Sequence, residues 1–121
     1  MKFFTDIQIG KSSEPIEHSE QILMLGSCFV ENMEAKFANG GFRVCCNPFG
    51  TLYNPMSIAA CLQSLLDGKH FSAEDLFFSG GLYHSMLHHG KFSSADAEDC
   101  LGMVNESIDK GRMALLEADR L

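Results

Sequence analysis

Two adjacent side chains able to attack a carbonyl stand at one sharp break in the chain, Ser27 and Cys28 in Gly26-Ser27-Cys28-Phe29. Four apolar residues, Ile22-Leu23-Met24-Leu25, lead into that break, and Val30, Met33 and Phe37 follow at helical spacing. A strand that turns through glycine and small polar residues into a helix presents a hydroxyl or thiol at its tip. The helix N-terminus lies behind the nucleophile, where backbone N–H groups and the helix dipole favour a thiolate. The chemistry this suggests is nucleophilic attack on an acyl carbonyl. The structural alternative is a plain turn in which Ser27 caps the helix and Cys28 is buried.

The elements that would hold the turn follow from local signals. The apolar run 22–25 reads as a first strand and 29–38 as a helix, stopped by Asn39-Gly40-Gly41. Phe42-Arg43-Val44-Cys45-Cys46 reads as a second strand, so the three form a right-handed βαβ unit with parallel strands. Asn47-Pro48-Phe49-Gly50-Thr51-Leu52-Tyr53-Asn54-Pro55 is a structured loop at the second strand's carboxyl end, the ligand-binding edge of open α/β sheets. Asn54 and Pro55 are a good cap and first position for a helix whose stripe is Ile58, Leu62, Leu65 and Leu66, ended by Gly68. Ser72 and Asp75 suggest a short capped helix over 71–78, broken by Ser79-Gly80-Gly81. Residues 82–93 read as extended or irregular and hold Tyr83, His84, His88 and His89. From about Ser94 a long helix carries Ala97, Leu101, Val104, Ile108 and Leu115 on one face, weakened locally by Gly102 and Gly111.

Composition narrows the function classes. The 121 residues suffice for one modest domain. Net charge is −7 with no basic stripe, which speaks against nucleic acid as a partner. No apolar run approaches the roughly 18 residues of a membrane span, and the start of the chain has no signal-peptide pattern. Five cysteines, Cys28, Cys45, Cys46, Cys61 and Cys100, without a Cys-x-x-Cys pair, point to reduced thiols in a cytoplasm and away from thiolate zinc. The histidine cluster lacks acids or cysteines at ligand spacing, so no metal and no cofactor is expected. Gly10-Lys11-Ser12 lacks the spacing of a phosphate-binding loop and reads as a turn.

Taken together, Gly26-Ser27-Cys28-Phe29, Asn47-Pro48-Phe49-Gly50, Tyr53-Asn54-Pro55, Leu82-Tyr83-His84-Ser85 and His88-His89-Gly90-Lys91-Phe92-Ser93 resemble the GSCFA domain family, with Val30 where the name-giving motif ends in alanine. The resemblance runs over about residues 3 to 121. That family is similar to the SGNH (GDSL-type) hydrolases, which implies a three-layer α/β/α fold with a parallel sheet. It also implies that Cys28 aligns with the nucleophilic serine of that group and Ser27 with the aspartate before it. Gly26 aligns with the motif's glycine, and Gly50 becomes the candidate oxyanion donor. Asn54 is a further donor or a helix cap. His84, His88 and His89 would replace the base or line the pocket, since the group's catalytic His and Asp lie near the C-terminus and have no counterpart here. The expectation is thus the N-terminal part, residues 1–121, of one such domain. As an enzyme it would be an acyl-ester or thioester hydrolase or acyltransferase with a small acyl or carbohydrate substrate, inactive as this piece. The other reading is a non-catalytic ligand-binding or interaction domain, for which uncovered apolar faces would favour self-association.

Overall fold

In the computed structural model, which describes residues 1–121, β1 (Gln21–Met24) and β2 (Arg43–Cys46) pair in parallel, from Gln21 opposite Arg43 to Met24 opposite Cys46. Successive β1 residues Ile22 and Leu23 are both buried, so both faces of this strand are covered, as a short continuous apolar run implies. The crossover is α1 (Cys28–Asn39), which packs on β2. Ser27 precedes α1 in extended conformation and its Oγ accepts the Phe29 N–H at 3.3 Å, satisfying one orphan donor of the first turn.

Next comes α2 (Pro55–Asp67), begun and ended as its sequence dictates. Asn54 Oδ1 accepts the Ser57 N–H at 2.9 Å, and Gly68 closes the helix in the left-handed region at φ 62°. The long α3 (Ala97–Glu117) is capped by Asp96, whose Oδ1 accepts from the Glu98 and Asp99 N–H groups. Cys100, Val104 and Ile108, one turn apart, make its inner face. They meet Cys61 and Leu65 of α2 and Phe49 and Leu52 of the loop in the principal core. Gly111 is no weak point of α3. A Cβ there would lie 2.7 Å from both Leu65 Cδ2 and Pro48 Cβ, so its missing side chain is what lets α2 and the loop approach.

The segment 71–78 departs from the expected helix. The Ser72 and Asp75 signals are real: the Ser72 N–H donates to Asp75 Oδ2 at 2.7 Å and the Asp75 N–H to Ser72 O at 3.0 Å. They close only one 3-10 turn, Ala73–Asp75. Leu76-Phe77-Phe78 then extends as β3 (Leu76–Ser79), antiparallel to β4 (Leu82–Ser85). Bulky and aromatic residues favour a pleated partner, and Gly80-Gly81, with φ of 58° and 83°, supplies the two-residue hairpin turn that demands positive φ twice. Tyr83 then exchanges backbone bonds with Ser94, at 2.7 and 3.2 Å.

After α3 the chain returns to β1 on the side away from β2. Asp119 and Arg120 N–H donate to Gln21 O, Leu23 N–H donates to Arg120 O at 2.9 Å, and Arg120 bridges Ile22 in parallel. The Arg120 guanidinium bonds Glu20 at 2.9 Å and the Pro15 carbonyl at 3.3 Å. The fold is α/β with a parallel pair centred on β1, and the β3–β4 hairpin is an antiparallel addition that the sequence did not foretell. No helix is long and apolar enough to cross a membrane.

Candidate active-site turn

Gly26, Ser27 and Cys28 stand where β1 runs out and α1 begins, at the carboxyl end of a parallel strand. Cys28 is exposed at the first position of α1, so the buried-cysteine alternative does not hold. Ser27 does cap the helix, as that alternative required. The turn is tied to the loop after β2 by three bonds. Asn47 Oδ1 accepts the buried Gly26 N–H at 2.8 Å, the Leu52 N–H donates to Gly26 O at 2.9 Å, and the Asn47 N–H donates to Met24 O at 2.9 Å. A shallow groove of about 460 Å³ opens beside Ser27, walled by Leu52, Tyr53, Asn54 and the Ile58–Leu62 face of α2.

Gly50 lies on the expected loop, yet its N–H is already spent on Asn47 O at 2.8 Å. In this conformation it offers no free donor to an oxyanion. Its need for glycine is steric: φ is 84° and a Cβ would stand 2.3 Å from His89 Cβ. Asn54 acts as the α2 cap, with its Nδ2 also on Ser57 Oγ at 3.0 Å, and it borders the Ser27 groove.

The three histidines divide by burial, and each has its Nδ1 lone pair taken when the ring is neutral. His84 Nε2–H donates to Ser79 O at 3.0 Å, so Nδ1 accepts from Ser93 Oγ–H at 2.7 Å. His89 is exposed, and its Nδ1 accepts the Lys91 N–H at 3.1 Å. His88 is buried against Phe49, Phe71 and Phe92. Because Ser107 Oγ–H donates to Val104 O, Ser107 can only accept from His88 Nε2–H, at 3.0 Å. Ser85 Oγ–H then donates to His88 Nδ1 at 2.8 Å. Burial pulls the His88 pKa down to about 4, so the ring is neutral at pH 7. A general base needs a free lone pair facing its substrate, and none of the three rings offers one here. His88 and His89 border a small pocket that shares the Leu52–Asn54 wall with the Ser27 groove but not Ser27 itself, while His84 lies on the hairpin. His18 and His70 serve structure, through the Gly40 carbonyl and Asp109. No three His, Cys, Asp or Glu side chains converge as metal ligands would.

The family model described as the GSCFA family matches residues 21–121. The chain belongs to the GSCFA family. Comparison with curated proteins and with solved structures finds no match.

In this GSCFA chain the five cysteines are all free thiols, and their surroundings rank them. Cys28 alone is exposed. Burial and the Glu34 carboxylate raise the pKa of half-buried Cys45, and the same causes push Cys46 up to about 11. Burial pushes Cys61 up to about 12 and also raises Cys100. Iodoacetamide at pH 7 is therefore expected to alkylate Cys28 first, Cys45 and Cys46 slowly, and Cys61 and Cys100 only after unfolding, as read by peptide mass spectrometry. Early modification of Cys61 would contradict the packing. The GSCFA site also holds residues whose bonds the sequence did not show. Asn47 was legible as the first residue of the Asn47–Gly50 block, without its bond to Gly26. Ser85 stood out only as the end of the Leu82–Ser85 block and Ser107 not at all, since the role of both depends on a histidine folded between them.

Proposed function

We propose that this GSCFA chain carries the nucleophile of an acyl-transfer site, a hydrolase or acyltransferase acting on an ester or thioester, with Cys28 as the attacking group. The observation that carries this reading is the placement of Cys28: exposed, first in α1, at the carboxyl end of parallel β1, in a turn bonded to the neighbouring loop. In the reaction the Cys28 thiol gives its proton to a base and its sulfur bonds the acyl carbon. The carbonyl oxygen becomes an oxyanion beside the α1 N-terminus, where the helix dipole favours negative charge. The bond to the leaving alcohol or thiol breaks and that group takes up a proton. Water or an acceptor alcohol then cleaves the Cys28 thioester.

With all three histidine lone pairs engaged, the proton acceptor is a group other than His84, His88 or His89 as they now stand. The apolar walls beside Ser27 suit the acyl part of a substrate, and an acylated carbohydrate follows only from the resemblance to SGNH hydrolases. Five free thiols fit a cytoplasmic setting. The engaged histidines favour a second reading, in which the same groove binds an acylated ligand without turning it over. Acetylation by p-nitrophenyl acetate separates nucleophiles. Cys28→Ala is expected to abolish the site-specific acetyl group and Ser27→Ala to retain it. The reverse pattern would move the role to Ser27, and an acetyl group at neither would favour the binding reading.

A further inference from the structure

The turn's least comfortable neighbour is Asn47, and three of its properties belong together. It is held at φ 44°, the left-handed region that side-chain-bearing residues seldom enter, and immediately before a proline. It is 4% exposed, and its Nδ2 is buried with no hydrogen-bond partner. Its Oδ1 meanwhile accepts the Gly26 N–H, two residues before Cys28, and its own backbone carbonyl takes the Gly50 N–H. A residue chosen for stability alone would avoid both the φ and the orphaned amide. Glycine takes φ 44° freely and carries no amide to bury. Strained and unsatisfied residues persist where they hold a site.

We infer that Asn47 is a positioning residue of the nucleophile turn: its side-chain carbonyl fixes Gly26, and through Gly26 the direction in which Cys28 leaves β1. This rests on the acyl-transfer reading for its consequence and on the Asn47–Gly26 bond for its geometry. Asn47 touches no substrate; it acts through the turn. Its cost to the fold and its benefit to the site are read by different measurements: Asn47→Gly removes the strain and the orphan amide, which bear on stability, and the Gly26 bond, which bears on Cys28 reactivity as well.

Asn47→Gly is expected to shift the melting temperature only a little, because relief of the strain and of the orphan amide offsets the buried Gly26 N–H left unpaired. It should also speed hydrogen exchange at the Gly26 amide at least tenfold, leave Leu23 unchanged, and slow acetylation of Cys28 by p-nitrophenyl acetate at least tenfold. A purely structural role would move the melting temperature and leave the Cys28 rate within twofold, which would overturn the proposal. Should the variant fail to fold, exchange in the parent chain still decides: the Gly26 amide must be protected like Leu23 in β1, and fast exchange at Gly26 overturns the proposal. If the parent chain is never acetylated at Cys28, the acyl-transfer reading fails alone, while Gly26 exchange still tests the positioning.

Discussion

Gly50→Ala is expected to destabilise the chain by about 3 kcal/mol or more, lowering the melting temperature by roughly 10 °C. Two costs add at this position. The backbone stands at φ 84°, where a Cβ is strained, and that Cβ would sit 2.3 Å from His89 Cβ, an atom anchored to the backbone that cannot swing aside. His89 N–H donates to Phe49 O at 2.8 Å, so the His89 backbone cannot retreat without breaking the bond that holds the loop to the 88–92 segment. Phe49 itself is fully buried in the core. Gly80→Ala is the control. It has φ 58° with nothing within reach of a new Cβ, so it should cost only about 1 kcal/mol. Thermal unfolding of the two variants checks the contrast. Equal losses would mean that the contact at Gly50 relaxes easily.

The second large effect lies at His88. His88→Ala removes a ring packed at 3.9 Å, centroid to centroid, on Phe49 and strips Ser85 and Ser107 of a shared partner. A loss of about 3 kcal/mol is expected. The pH dependence has a definite sign. The folded-state pKa, about 4, lies below the ordinary histidine value of 6.5, so between these values the unfolded chain binds the extra proton. This contribution is complete above pH 6.5 and is lost as pH falls toward 4, by roughly 2 to 3 kcal/mol. Urea midpoints measured from pH 7 to 4.5 should fall more steeply for the parent chain than for His88→Ala, the difference corresponding to about one proton. Parallel curves would mean that His88 takes up its proton in the folded chain at the same pH as in the unfolded one.

Local signals carried the βαβ unit and both long helices. Ser27, Asn54 and Asp96 are caps whose side chains reach backbone donors within three residues, and such bonds are written in the sequence itself. The segment 71–78 misled for an equally physical reason. Ser72 and Asp75 specify one turn and say nothing of the next residues, whose fate was decided by pairing with β4 through Gly80-Gly81. In the candidate site, Cys28 at the helix start was legible, because strand, glycine and helix are contiguous. The commitments of Gly50 N–H to Asn47 and of His88 to Ser85 and Ser107 were not. Those bonds depend on loop geometry and, for Ser107, on contact across 19 residues.

A nucleophile made by the fold must react faster than one merely exposed by it. Exposure alone would give Cys28 the reactivity of a cysteine in an unfolded chain. The decisive measurement is therefore the rate of Cys28 acetylation by p-nitrophenyl acetate at pH 7, native against urea-unfolded, by quantitative peptide mass spectrometry. The expected result is at least tenfold faster acetylation in the native chain. A native rate equal to or below the unfolded one would contradict the account and leave the turn a structural connection between β1 and α1.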